Sequence, residues 1–257
     1  MSRRPVSALV VTAMPEEAQP FLEARPLADG AAPVLLPGAA QAWSLQLHDD
    51  APGELVLVHC GIGLVAAASA LATALTQVAP QVVVSAGTTG GLGRQVEVGD
   101  VCASTSLAYA DVDATAFGYA IGQTPGQPET FPGDSTLVAG AVGAGGQALT
   151  GATPTSGGAR VHAGQMLAGG SFVTATGVDR VRERFPQAVS TDMESTALAQ
   201  VAHAAGIPFA SIRGVSDLCG PQAGQDFHIG AGEAASRSAA VVLAALTTAE
   251  AVRSTQA

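Results

Sequence analysis

The sequence predicts one α/β domain over residues 1–257, a three-layer α/β/α sandwich around a twisted, mostly parallel mixed sheet. Three observations lead there. Short β-rich apolar runs recur, several with Val or Ile at consecutive positions, as in strands buried on both faces. Helical patterns lie between or after many of these runs. Alanine and glycine dominate while aromatics make up only 4%, which favours helices packed closely on a sheet over a sandwich built on aromatic plugs. No linker-like shift in composition and no internal repeat divides the chain.

In chain order, Ala8–Thr12 reads as the first strand. The basic start "MSRRP" and the short apolar run resemble a secretion signal, but the run ends directly in Pro15-Glu16-Glu17 without a small-residue cleavage site. Glu16–Arg25 follows as a helix opened by Pro15. Residues 31–47 read as a hairpin or meander. Then come strand Glu54–Cys60, helix Val65–Gln77, and strand Val82–Ala86, which runs into "SAGTTGGLG". Strand Val101–Tyr109 precedes a long polar, Gly/Pro-punctuated loop over 110–132, a length usual in functional or interface loops. Helix Ser135–Ala144, strand Arg160–Leu167, helix Val178–Phe185, strand Ala188–Thr191, helix Met193–Ala205, strand Pro208–Val215 and helix Ala231–Arg253 complete the pattern.

Composition excludes several classes. A net charge of -10 argues against nucleic-acid or anionic-membrane partners, which select basic patches. The chain has no lysine, so Walker-type phosphate loops and lysine Schiff bases are out. Cys60, Cys102 and Cys219 are scattered and odd in number, which fits a reducing, cytoplasmic setting better than a disulfide framework. The five histidines show no ligand spacing with each other or with cysteine, so no structural metal is expected; no cofactor is expected either. No run is long and apolar enough to span a membrane.

Four strand ends carry polar groups, where α/β sheets gather ligands. In "TAMPEEAQPF", Glu16 and Glu17 follow Pro15; ordinary helix-start chemistry accounts for them, as does a buried base at Glu17 that activates water. In "SAGTTGGLG" the spacing is wrong for a dinucleotide fingerprint and "RQVEVGD" is not an amphipathic helix. It is either a glycine turn or a loop where Thr88 and Thr89 meet a ligand. In "STDMES", Asp192 and Glu194 either favour a helix start or accept hydrogen bonds from a ribose diol, since a carboxylate only accepts. In "IRGVSDLCG", Ser216 and Asp217 either cap a helix or place a desolvated, proton-bearing Asp217 in a site, with Arg213 opposing if close. No nucleophile-elbow pattern is present.

Together with "CGIGLVAAASA" and "DATAFGYAIGQTPGQP", these stretches resemble the nucleoside phosphorylase/nucleosidase superfamily, and within it the 5′-methylthioadenosine/S-adenosylhomocysteine nucleosidases, along nearly the whole chain. The resemblance implies a nucleoside phosphorylase-like fold and hydrolysis of an adenine nucleoside's N-glycosidic bond. By that resemblance Asp217 is the acid at purine N7, Glu17 the base for water and Glu194 the ribose-diol ligand. Ser216 and Arg213 orient Asp217 and water, Met193 packs on the sugar, and Asp192 supports Glu194. Ile62, Thr88 and Gly90 line the ribose side, Phe172 and Val173 the purine, and Phe227 the pocket wall. Phe117, Tyr119 and Pro125 resemble a segment lent to a second subunit, which implies a homodimer. Departures are Asp192 and Thr88, where relatives often have Glu and Ser, and "AGGSF" without the acid common before Phe172. Futalosine-type hydrolysis and nucleoside binding without turnover stand as the alternatives.

Overall fold

The structure, a computed structural model, describes residues 3–28, 32–48, 53–219 and 229–254, the last five by backbone alone. Ten strands form one sheet: β1 (Arg4–Thr12), β2 (Val34–Leu35), β3 (Gln41–Gln46), β4 (Glu54–His59), β5 (Val78–Gly91), β6 (Val101–Tyr109), β7 (Phe131–Pro132), β8 (Val161–Ala168), β9 (Ala188–Asp192) and β10 (Phe209–Asp217). Six α-helices accompany them: α1 (Pro15–Ala24), α2 (Leu64–Gln77), α3 (Ser135–Leu149), α4 (Ala175–Arg184), α5 (Ser195–Ala204) and α6 (Ala231–Ser254).

The consecutive Val and Leu of β1 show why the sheet is covered on both sides. Successive side chains of a strand point to opposite faces. Ala8 and Val10 join a core with Phe21 of α1, Leu137 of α3 and Val241 of α6. Leu9 and Val11 join another with Leu71 of α2 and Leu198 of α5. Those two layers of helices, with the sheet between, are the predicted sandwich.

The path of β5 is what the sequence did not announce. Its first part lies between β1 and β10, parallel to both. Its last residues leave that plane, and Gly90 and Gly91 pair antiparallel with Thr191 and Ser190 of β9. β9 pairs with β8, β8 with β6, and β6 returns antiparallel to β10, so this half of the sheet curls into a ring. The other half fans out through β1, β4, β3 and β2. The long ladders are parallel apart from the β3–β4 hairpin. Bulges in β6, β9 and β10 supply the local bending that a curled sheet requires.

Several boundaries move. β5 begins at Val78, directly after α2, because Val78 already pairs with Arg4. β10 extends to Asp217, so that acid sits on the strand end itself. α5 starts at Ser195 and not at Met193, because Asp192 takes the backbone N–H groups of Glu194 and Ser195 and holds the chain in a bend. The 110–132 loop contains one short 3-10 turn, Thr115–Phe117, and ends in β7. No described helix is long and apolar enough to cross a membrane.

Candidate active site

The C-terminal ends of β1, β4, β5, β9 and β10 meet around a cavity of about 250 Å³. Its lining includes Glu17, Ile62, Thr88, Gly90, Phe172, Val173, Asp192, Met193, Glu194, Arg213, Ser216 and Asp217. All twelve were named from the sequence. They come from both sides of the sheet's curl, which is why no single stretch reveals the site.

Glu17 is buried on the third residue of α1. One carboxylate oxygen accepts the N–H groups of Ala13 (2.8 Å) and Met14 (3.1 Å), so it does cap its own helix. The other crosses to β5 and accepts from the N–H (2.7 Å) and hydroxyl (2.9 Å) of Thr88. Capping and site-building are therefore one arrangement. Gly87 makes the crossing possible: its φ is +132°, and a Cβ there would run into the Glu17 carboxyl.

Asp192 and Glu194 divide the two readings of their stretch between them. Asp192 serves the helix start: Oδ1 accepts from the N–H of Glu194 (2.8 Å) and Ser195 (2.7 Å), and Oδ2 from the Ser195 hydroxyl (2.6 Å). Glu194 is placed by that bend into the cavity wall. There its Oε1 accepts the Gly63 N–H at 2.8 Å, and its Oε2 meets Arg213 Nη1 at 3.1 Å. Burial raises the Glu194 pKa above the ordinary carboxylate range; Arg213 opposes that rise and Asp192 adds to it.

Arg213 is delivered by the fully buried β10 and is itself 1% exposed. Burial disfavours its charge, but Asp192, Glu194 and Glu17 outweigh that and hold the guanidinium firmly protonated. Its partners are Ser85, the Thr88 carbonyl, Glu194 and, at 3.6 Å, Asp192. These contacts direct Arg213 toward the Glu194 side of the cavity, not toward Asp217 as its place in "IRGVSD" suggested. Ser216 does orient Asp217, donating to Oδ2 at 3.0 Å, while the Cys219 N–H donates to Oδ1 at 2.8 Å.

Ile62 and Phe172 are 60% and 53% exposed, large apolar groups at the open mouth of the cavity. Phe117, Tyr119 and Pro125 lie on the 110–132 loop and do not line the cavity of this chain; Phe117 is 83% exposed. Phe227 falls outside the described residues. Thr89, Thr191 and Cys219 also line the cavity, and Gly63 supplies a donor to Glu194. Cys219 was within reach of sequence reasoning, two residues beyond Asp217. Gly63 was not, because a glycine N–H carries no residue-type signal. The three cysteines are buried free thiols, and burial pushes those of Cys60 and Cys219 up to about 12. Among the described residues no group of His, Cys, Asp or Glu has the arrangement of a metal site.

Comparison with known proteins agrees with this geometry. The family model described as the phosphorylase superfamily matches residues 7–247. A 5′-methylthioadenosine/S-adenosylhomocysteine nucleosidase of Actinobacillus succinogenes is 37% identical over 194 residues, 75% of this chain and 80% of the relative. The crystal structure of the Neisseria meningitidis nucleosidase in complex with methylthio-immucillin-A superposes with a TM-score of 0.80 at 34% identity, covering 94% of this chain and 98% of that one. The Colwellia psychrerythraea nucleosidase in complex with adenine gives 0.83 at 31% identity, covering 96% and 97%.

Proposed function

The chain belongs to the phosphorylase superfamily and, within it, to the 5′-methylthioadenosine/S-adenosylhomocysteine nucleosidases, and from that premise we propose that it hydrolyses the N-glycosidic bond of 5′-methylthioadenosine and S-adenosylhomocysteine. The products are adenine and the 5′-thioribose. The observation that carries this reading is that Glu17, Glu194 and Asp217, distant in sequence, line one cavity.

The chemistry follows from what each step requires. A purine leaves poorly unless its ring takes a proton. Asp217, held by Ser216 and the Cys219 N–H, gives that proton to N7; general acid catalysis of this kind contributes typically 10²–10⁴-fold. As the bond breaks, the sugar gains positive charge. Glu194 grips the ribose diol, and its negative charge favours that transition state. Glu17 draws a proton from water, which attacks the sugar face opposite the purine, as in an inverting glycosidase. Met193, Ile62, Thr88 and Gly90 enclose the sugar; Phe172 and Val173 enclose the base.

Water is the nucleophile because the cavity offers phosphate no cradle. Arg213 is the one cation among its described lining residues, and Asp192 and Glu194 already engage it. A phosphate would also meet Glu17, and like charges at such range repel. The protein acts as a homodimer in which Phe117, Tyr119 and Pro125 of each copy complete the other's alkylthio pocket.

Purified protein, assayed for adenine release from methylthioadenosine, adenosylhomocysteine and aminofutalosine, tests the substrate. Cleavage of aminofutalosine alone, or binding without adenine release, overturns the reading. Asp217→Asn keeps nucleoside binding and lowers kcat by about 10²-fold or more; a near-normal rate removes Asp217 from the mechanism.

A further inference from the structure

Behind the cavity wall lies a set of buried hydroxyls that the proposed mechanism does not use. Ser85 on β5, Ser195 at the start of α5 and Ser211 on β10 are all fully buried. Ser85 Oγ accepts from two Arg213 nitrogens, Nε at 3.2 Å and Nη2 at 2.9 Å. Ser85 Oγ also lies 3.2 Å from Ser195 Oγ. Ser195 Oγ donates to Asp192 Oδ2 at 2.6 Å and lies 2.8 Å from Ser211 Oγ.

Counting protons fixes the direction of each contact. A hydroxyl has one proton and two lone pairs. Both lone pairs of Ser85 face the guanidinium, so its proton goes to Ser195. The proton of Ser195 goes to the Asp192 carboxylate, so Ser195 accepts from both Ser85 and Ser211. The chain therefore runs one way, from the cation to the anion: Arg213 to Ser85 to Ser195 to Asp192. Each link polarises the next, and a buried chain with a charge of the favourable sign at both ends is strengthened by that cooperativity.

We propose that Ser85 and Ser195 form a one-way hydroxyl relay from Arg213 to Asp192, with Ser211 donating into it from the side, and that Ser85 and Ser195 are positioning residues that hold Arg213 against Glu194. The inference rests on the nucleosidase reading of the site for its kinetic consequence, and on the hydrogen-bond geometry alone for its existence. Two of Arg213's nitrogens are fixed from behind by Ser85, which leaves Nη1 aimed at the Thr88 carbonyl and Glu194. Without the relay the guanidinium is free to tip toward Asp192, and Glu194 loses the charge that opposes the effect of its burial.

Ser85→Ala and Ser195→Ala in the full chain test this. A hydrogen bond to a charged group corresponds to roughly a ten- to hundredfold effect, so both variants fold and lose about that factor in kcat, while KM moves little. The acid limb of their pH profiles moves to higher pH, because Arg213 no longer opposes the burial of Glu194, which Asp192, Glu17 and Cys60 also face. Ser195→Thr retains the hydroxyl and recovers most of the rate. Alanine variants with wild-type rates and an unmoved acid limb overturn the proposal, as does Ser195→Thr remaining as slow as Ser195→Ala. A readout independent of turnover is the Arg213 Nε–H resonance, assigned by its loss in Arg213→Lys. The relay requires it to be protected from solvent exchange in the wild type and unprotected in Ser85→Ala; persistence of that protection overturns the relay, even if an alanine variant of Ser195 fails to fold. Absence of adenine release by the wild type instead overturns the nucleosidase reading, and the resonance then decides the relay by itself.

Discussion

Glu194 concentrates the electrostatics of the site in one side chain. Its pKa is raised by burial, against the pull of Arg213. A carboxyl whose pKa is higher folded than unfolded favours the folded state fully below its unfolded value, and that contribution is lost as pH rises through the folded value. In the proposed mechanism activity has the opposite requirement, because the diol is to be held by the ionised form. kcat/KM therefore rises with pH along an acid limb above the ordinary carboxylate range, over the same interval in which this group's contribution to stability disappears. Glu194→Gln separates the two effects: turnover is lost, and the melting temperature falls less than in the wild type as pH rises above the ordinary carboxylate range. Parallel melting curves for the two proteins across that interval rule out this account.

At the scale of elements, α6 is seated by a clamp near its start. Arg237 is 3% exposed and donates to the Gly99 carbonyl (2.7 Å), to the hydroxyls of Thr153 (3.2 Å) and Thr155 (2.6 Å), and to Glu233 (2.7 Å) one turn earlier. These partners come from the approach to β6, the connection between α3 and β8, and α6 itself. Almost one turn before Arg237 on the same helix, Gly214 of β10 lies so close that a Cβ there would strike the Ala234 carbonyl. The helix thus rests directly on the strand that carries Arg213 and Asp217. Arg237→Ala removes four donors at once, and a loss of about 2–3 kcal/mol of stability follows from hydrogen bonds to a charged group. Chemical denaturation measures this; a change within error of zero shows the clamp to be dispensable.

For the whole molecule, the proposed homodimer is checked by light scattering and by dilution: activity per chain falls below the dissociation constant if each copy completes its partner's pocket. A monomer of full activity at nanomolar concentration excludes that arrangement. Much of this architecture was legible because its signals are local. β1 was readable from alternate burial of Ala8, Leu9, Val10 and Val11 on two faces. The start of β5 was not, because Pro80 lies inside it and Val78 follows α2 without a turn. The start of α5 was misplaced because hydrogen bonds from the chain to Asp192 outweighed the helical propensity of the next two residues. Site acids were legible at strand ends, whereas the link from Ser85 to Ser195 joins residues 110 positions apart and leaves no spacing to detect.

The surplus of carboxylates around Arg213 has a consequence beyond the choice of nucleophile. Glu17, Asp192, Glu194 and Asp217 share the cavity with that single guanidinium. In a cell, adenine is carried mostly on molecules with phosphate at the 5′ position. Such molecules meet repulsion where an uncharged thioether does not, so AMP and ATP at millimolar levels should leave the initial rate on methylthioadenosine unchanged. The sign of the charge on the lining would thereby turn away the energy currency of the cell, whatever else meets the 5′ end.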